Sequence, residues 1–306
     1  MSKILVTGAA GLFGINYCFN SHQQHSIRGT VRQPIKRLPF ETTSVDLLEK
    51  GSLAKVIDRF KPDVLIHAAA NANLDDCEKN PREAFRLNAE LPGFIAEQTA
   101  QRGIQLIHIS TDAVFFDSSD RHFKESDSPN PAIVYSESKL ESEEYVLSTD
   151  SHAIVARVNF FGWSMQGNKS LSEFFFNALS ENQPCFGFPD VFFCPLYVED
   201  LAEIFNKMLE KELHGLYHVT GSEALSKFEF GQRIAKRFGY DIHLISPKEV
   251  ELSTLHTPRS HNLRLDNTKL YTDLGMEIPG VTHGIDRFYT QYKLGYPQKL
   301  RSYQQK

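Results

Sequence analysis

Three residues near the middle of the chain have the types and spacing to move a proton: Thr111, Tyr135 and Lys139. Tyr135 and Lys139 lie four apart, so on a helix they share one face. An ammonium near a phenol lowers its pKa, and the same ammonium can hold a sugar hydroxyl. Tyr135 would then give a proton to a carbonyl oxygen, or take one from an alcohol, near neutral pH. Thr111 follows directly on the apolar run Gln105–Ser110 and can donate a second hydrogen bond to that oxygen. Such a set reduces a carbonyl only beside a hydride donor. A Tyr and a Lys also meet at this spacing by chance, so the reading needs a cofactor site elsewhere in the chain.

The amino terminus supplies one. Ile4, Leu5 and Val6 form a continuous apolar run, which suits a strand buried on both faces. Gly8, Gly11 and Gly14 follow at G-x-x-G-x-x-G spacing, with Leu12 and Phe13 between the last two. Gly8 can turn the chain off the strand, Gly11 lets backbone approach a pyrophosphate, and Gly14 lets the next helix pack closely. The orphan N–H groups at that helix start would hold the phosphates. A second strand, Ser26–Val31, carries Arg28 and ends at Arg32. Arginines here suit the extra phosphate of NADP, where an acid would take the ribose of NAD; as an alternative, both are solvent-facing edge charges. NADP is therefore the expected cofactor, with NAD as the other choice. A short strand Ser44–Leu47 brings Asp46 and Leu47 to the adenine, and Ala68, Ala69 and Ala70 after a strand Val64–His67 leave room for phosphate and sugar. His67 reads as a supporting core residue.

The elements that must position these groups alternate. Helices are expected to about Gln24 and over Ser52–Phe60, Arg82–Ala100 (kinked or restarted at Pro92) and Ser136–Leu147, the last with a stripe of Leu140, Val146 and Leu147. Asn71–Asn80 reads as a polar loop, and Ala153–Val158 and Leu216–Thr220 as further strands. This rhythm predicts an α/β fold: a Rossmann-type, doubly wound parallel sheet with a smaller, interleaved C-terminal substrate lobe. Residues 1–163, joined again by 194–222, form the cofactor-binding domain; 164–193 and 223–306 form the substrate lobe. Asn159, Trp163 and Ser164 are the candidate substrate contacts, with packing and turn roles as the alternative. Ser226 and Glu229 make a capping-box pattern, Ile242–Ile245 reads as extended, and Asp266 starts a helix.

Composition narrows the class. The chain has 306 residues, 41% apolar and 23% charged, with a formal charge of -5. That balance suits a soluble globular protein and gives no electrostatic reason to expect nucleic acid. Cys18, Cys77, Cys185 and Cys194 lack metal-ligand or disulfide-framework spacing, so reduced thiols and a cytoplasmic setting are expected, with no metal. No apolar run approaches a membrane span, and the first strand begins too early for a signal segment.

Taken together, these stretches resemble the extended short-chain dehydrogenase/reductases, and most of all the dTDP-4-dehydrorhamnose reductase branch. The resemblance rests on Thr7–Gly14, Asp46-Leu47, His67–Ala70, Asp76-Cys77-Glu78 followed by Asn88, Ser110–Phe115, Tyr135 with Lys139, Pro195 with Tyr197–Leu201, and Leu265–Leu270. It implies a nicotinamide cofactor, Asn88 among its neighbours, catalytic roles for Thr111, Tyr135 and Lys139, and a homodimer. It also implies a nucleotide-sugar substrate, or another small carbonyl compound, and an Arg-x-x-x-x-Gly stretch near it, here Arg157 to Gly162. Related dehydratases carry an acid where this chain has Ala113, which argues against dehydration. Ala113, Phe193 and Leu196 also depart from the reductase pattern and should reshape sugar recognition. An epimerase with retained NAD is one alternative. A regulatory subunit is another, since that of animal methionine adenosyltransferase resembles the same branch.

Overall fold

A computed structural model describes residues 1–252 and 255–304; residues 253–254 and 305–306, all within the expected second lobe, lie outside the described residues. Seven strands form one parallel sheet: β1 Lys3–Thr7, β2 Ser26–Val31, β3 Glu41–Ser44, β4 Val64–His67, β5 Gln105–Thr111, β6 Ile154–Val158 and β7 Gly215–Val219. Their order is β7-β6-β5-β4-β1-β2-β3. The chain thus winds outward from β1 in one direction, then from β4 in the other. A crevice opens at the carboxyl ends of β1 and β4, where such sheets bind ligands.

Both faces of the sheet are covered. Ile4, Val6, Ile66, Ile107 and Ile154 pack on one side with Phe13 and Tyr17 of α1 (Leu12–Ser21). Leu5, Leu65, Leu106 and Val155 pack on the other against α2 (Ser52–Phe60), α5 (Leu91–Ala100) and Val146 of α6 (Val134–Thr149). Between β4 and α5 the expected polar loop folds into α3 (Leu74–Lys79), because Asn73 caps it by accepting from Asp76 N. Next come α4 (Pro81–Phe85) and a π-helical turn, Arg86–Glu90. Pro92 has no N–H to return to the preceding turn, and the helix widens there instead of breaking.

Helix α6 departs most from the expected pattern. Its buried residues are Ser136, Ser138, Lys139, Ser142, Glu143 and Val146, a polar inner face in place of the stripe through Leu140 and Leu147. The sheet beneath explains this. Parallel register sets Thr7 beside His67 and His67 beside His108. Ser110 likewise lies beside Arg157, and Arg157 beside His218. The face that is Leu-rich at the amino ends of its strands becomes polar toward the crevice, and α6 matches it.

Beyond β6 come short strand pairs and the helices α7 (Leu171–Ser180), α8 (Val198–Glu210), α9 (Lys227–Phe238), α10 (Thr268–Leu274), α11 (Val281–Lys293) and α12 (Tyr296–Ser302). Ser226 and Glu229 do form a capping box on α9. Ile242–Leu244 is a 3-10 turn, with the extended piece starting only at Ile245. The strand expected at Ser44–Leu47 ends at Ser44, and Val45–Leu48 is loop.

Candidate active site

At the mouth of the crevice, Gly8 has a φ of +68° and its missing side chain leaves room for the chain after β4. A Cβ there would lie 2.9 Å from the Ala69 backbone. One at Gly14 would lie 2.8 Å from Ala9 Cα, so α1 packs tightly on the turn itself. Gly11 is the extended N-cap of α1, which has no side-chain cap and no acid in its first turn. The orphan N–H groups therefore remain available to an anion.

Two cavities meet at this turn. One, of about 510 Å³, is lined by Gly8, Thr30, Arg32, Asp46, Leu47 and Ala69 among others. The second, of about 730 Å³, is lined by Leu12, Phe13, Gly14, Thr111, Tyr135, Lys139 and Asn159 among others. Ala10, Gly11, Ala68, Ala70 and Asn71 line both, so they form one trough over the glycine turn. Its length and its uncapped helix start fit a dinucleotide. Pyrophosphate would lie on Gly11–Gly14, adenosine toward Arg32 and Asp46, and the nicotinamide end toward Tyr135.

Four expected contacts lie elsewhere. Arg28 sits in the middle of β2, short of the crevice, ion-paired with Glu41 and with its guanidinium 4.8 Å from the Phe60 ring centroid. Trp163 is buried, stacked on Phe288 at 3.8 Å, and gives its indole N–H to Phe288 O. Ser164 is buried and bonded to Glu173, 2.8 Å from Oε2. Both are packing residues of the second lobe. Asn88 does not line the trough; its amide brackets Asn71, accepting from Asn71 N at 2.8 Å and donating to Asn71 O at 3.0 Å. It therefore fixes a residue that does line both cavities. Asp46 lines its cavity while accepting from Leu48 N.

Of the implied Arg157–Gly162 stretch, Val158, Asn159 and Phe160 line the cavity, while the Arg157 side chain does not. Arg157 is buried under α6, in a bidentate pair with Glu143 that also receives the Ser110 hydroxyl. Its other end lies 3.3 Å from His218 Nε2. Removing one partner of such a pair leaves a bare buried charge, so this network fastens α6 to the sheet.

The electrostatics of the proton-moving set differ from the simple expectation. Burial pushes the Tyr135 phenol up to about 12; a hydrogen bond with Thr111 opposes this and the Asp112 charge adds to it. Lys139 is not among the groups that shift it. The amine donates instead to Ile109 O at 2.8 Å, and burial pulls it down to about 7. Asp112, beside Thr111, is pushed up to about 6 by burial, against a hydrogen bond from Asn159 Nδ2. At neutral pH the site thus holds a protonated phenol, a proton donor waiting for a base.

Some lining residues are expected only as part of the 164–193 stretch of the substrate lobe and not individually. Gln166, Asn168 and Lys169 reach the cavity from the loop before α7. A run of turn residues does not announce which of them faces inward. Among the described residues, one trio, Asp190, Glu251 and His261, brings three potential metal-ligand atoms within 4.8 Å of one another. It lines neither cavity of the trough. The four cysteines are free and buried. No described helix is long and apolar enough to cross a membrane.

Comparison with known proteins supplies the family and the fold. The family described as RmlD substrate binding domain matches residues 2–294. The chain is similar to methionine adenosyltransferase 2 subunit beta of Bos taurus, 30% identical over 289 residues, covering 90% of this chain and 84% of that protein. It is similar to dTDP-4-dehydrorhamnose reductase of Aggregatibacter actinomycetemcomitans, 27% identical over 290 residues, covering 90% and 95%. In fold it matches the crystal structure of dTDP-4-dehydrorhamnose reductase from Bacillus anthracis in complex with NADP. There the TM-score is 0.85 at 23% identity, covering 95% of this chain and 99% of that one.

Proposed function

The chain belongs to the RmlD substrate binding domain family, and from that premise we propose that it is an NADP(H)-preferring reductase of a 4-keto group on a nucleotide-activated deoxysugar. One observation carries the reading: Thr111 and Tyr135 line the same cavity as the uncapped start of α1. The similarity to dTDP-4-dehydrorhamnose reductases supports the substrate class. When bound, the nicotinamide supplies the hydride. Tyr135 gives its proton to the carbonyl oxygen, and its burial keeps that proton in place until the oxygen gains charge. Thr111 turns its hydroxyl from Asp112, 3.2 Å away, toward the same oxygen. Hydrogen bonds that strengthen as charge develops are the chief catalytic contribution of such a site. Lys139 presents its amine to the cofactor's ribose.

Preference for NADP rests on Arg32 alone, since Arg28 is turned away; NAD is the other choice. Asn159 is the substrate contact retained from the sequence, held toward Asp112. Residues 1–163 with 194–222 serve as the cofactor-binding domain, and 164–193 with 223–306 as the substrate lobe. The family resemblance supports a homodimer, and buried free thiols suit the reducing cytoplasm.

A screen for NADPH oxidation tests this, with dTDP-4-dehydrorhamnose, other nucleotide 4-keto sugars and simple ketones as substrates. Turnover confined to nucleotide sugars is expected. The 30% identity to a methionine adenosyltransferase subunit favours a second reading, a cofactor-binding subunit without turnover. Tight NADP binding, no oxidation of any substrate and a stable heterologous partner would select it. Tightly retained NAD with no net redox would select an epimerase.

A further inference from the structure

The loop of residues 164–170, which runs from the short strand Phe160–Phe161 into α7, is held from behind by one buried carboxylate, Glu173. Its Oε1 accepts from Ser164 N at 2.7 Å, and its Oε2 accepts from the Ser164 hydroxyl and from Lys169 N, both at 2.8 Å. Ser170 N completes the set at 3.3 Å. Four donors match the four acceptor positions of a carboxylate. The apex of the loop is pinned as well. Ser164 Oγ accepts from Gly167 N at 2.9 Å, Asn177 Nδ2 donates to Gly167 O at 2.7 Å, and Gly167 takes a φ of +76°.

The other side of this loop faces the cavity. Gln166, Asn168 and Lys169 line it together with Thr111, Tyr135 and Phe160. All three are exposed, and their side chains make no hydrogen bond or ion pair among the described residues. Two amides and an ammonium thus stand unpartnered on a backbone that is fixed at both ends and at its apex. They do not line the adenosine cavity, and the glycine turn already serves the cofactor's pyrophosphate. We propose that Glu173 is a positioning residue for the substrate. It fixes the loop so that Lys169 meets the diphosphate of a nucleotide sugar and Gln166 and Asn168 meet the sugar's hydroxyls. This rests on the reading that the chain takes a nucleotide-activated sugar.

Helix capping alone does not call for so many bonds. In the capping box of α7, Ser170 accepts from Glu173 N and Glu173 accepts from Ser170 N, and that second bond is the longest of the four. The other three, from Ser164 and Lys169, lie outside the box and draw the two ends of the loop together. The loop is also tied to the cofactor side, since Asn16 of α1 donates to Trp163 O at 2.8 Å. A wall set in advance meets its ligand without the entropy loss of ordering itself.

Calorimetric titration of the NADP-loaded full chain with dTDP tests the assignment. Lys169→Met should weaken dTDP binding about tenfold, the worth of one charge-assisted hydrogen bond. Glu173→Gln offers one acceptor oxygen to four donors, releases the loop, and should also weaken it about tenfold. Ser164→Ala keeps the carboxylate but cuts its link to the apex, and should weaken it about threefold. Adding either loop change to Lys169→Met should alter the affinity by less than about twofold. In both loop variants NADPH affinity, read by fluorescence titration, should stay within about twofold of the parent. Unchanged dTDP binding in any of the three single variants would overturn the proposal. So would losses that multiply in the doubles, or equal losses of dTDP and NADPH, which mark a role in the fold alone. Should Glu173→Gln fail to fold, the Ser164→Ala results decide. A parent that binds NADPH but no dTDP would overturn the nucleotide-sugar reading beneath, an outcome separate from the others.

Discussion

The two halves of the trough are built from different material. The adenosine and pyrophosphate half is made of backbone and small side chains: the Gly8 turn, the uncapped start of α1 and Ala68–Ala70. The reacting half is made of side chains carried by β5, β6 and α6, set in place by a buried polar layer that reaches from Thr7 to His218. Each piece of the backbone half, the glycine turn and the alanine run, is specified locally within a dozen residues. A side-chain site depends on partners dozens of residues away, and its pKa values follow from burial that no local stretch reveals.

If that division holds, removing the proton donor from the reacting half should spare cofactor binding, and lesions in the phosphate half should spare chemistry. Tyr135→Phe should lower turnover by about 10²–10⁴-fold, the usual worth of a positioned proton donor. Its NADPH affinity should stay within about twofold in a parallel titration. Equal losses in both would erase the division. Next in size, Arg157→Ala leaves Glu143 charged and buried and should cost about 3–5 kcal/mol by denaturant unfolding. A loss under about 1 kcal/mol would show that α6 is not held by this pair.

Arg32→Asp should move the NADP-to-NAD affinity ratio about tenfold or more toward NAD, while Arg28→Asp leaves the ratio alone. A shift with Arg28→Asp and none with Arg32→Asp would exchange the roles of the two arginines. The smallest effect concerns Asp112. Its folded pKa of about 6 lies above the ordinary carboxyl value, so its contribution to stability is full at low pH and fades as pH rises through 6. Asp112→Asn removes that fade. Its melting temperature should therefore gain on the parent by a few degrees between pH 4 and pH 7. A gap that stays constant or shrinks would contradict the assignment.

How much was readable follows the same division. The glycine turn, β1, β2, β4 and α2 could be placed from the sequence, because strand burial and Gly spacing are local. Arg28 and Arg32 show where local reading stops. Both lie on β2 or at its end, but only distance along the strand decides which reaches the crevice. Trp163 and Ser164 read from sequence either as substrate contacts or as packing and turn residues, and the structure gives them the second role. Their partners, Phe288 and Glu173, come from helices whose docking the sequence does not announce. The inner face of α6 was hidden for a further reason. Apolar patterning assumes an apolar neighbour, and the neighbour here is a row of His, Ser and Arg.

Transfer of label from cofactor to sugar tests the central claim most directly. Protein mixed with dTDP-4-dehydrorhamnose and NADPH deuterated at the reactive nicotinamide carbon should yield a sugar with one deuterium at C4, detected by mass spectrometry and NMR. Tyr135→Phe, loaded equally with cofactor, should yield almost none in the same time. No deuterium in the parent's product, or undiminished transfer in the variant, would contradict the account.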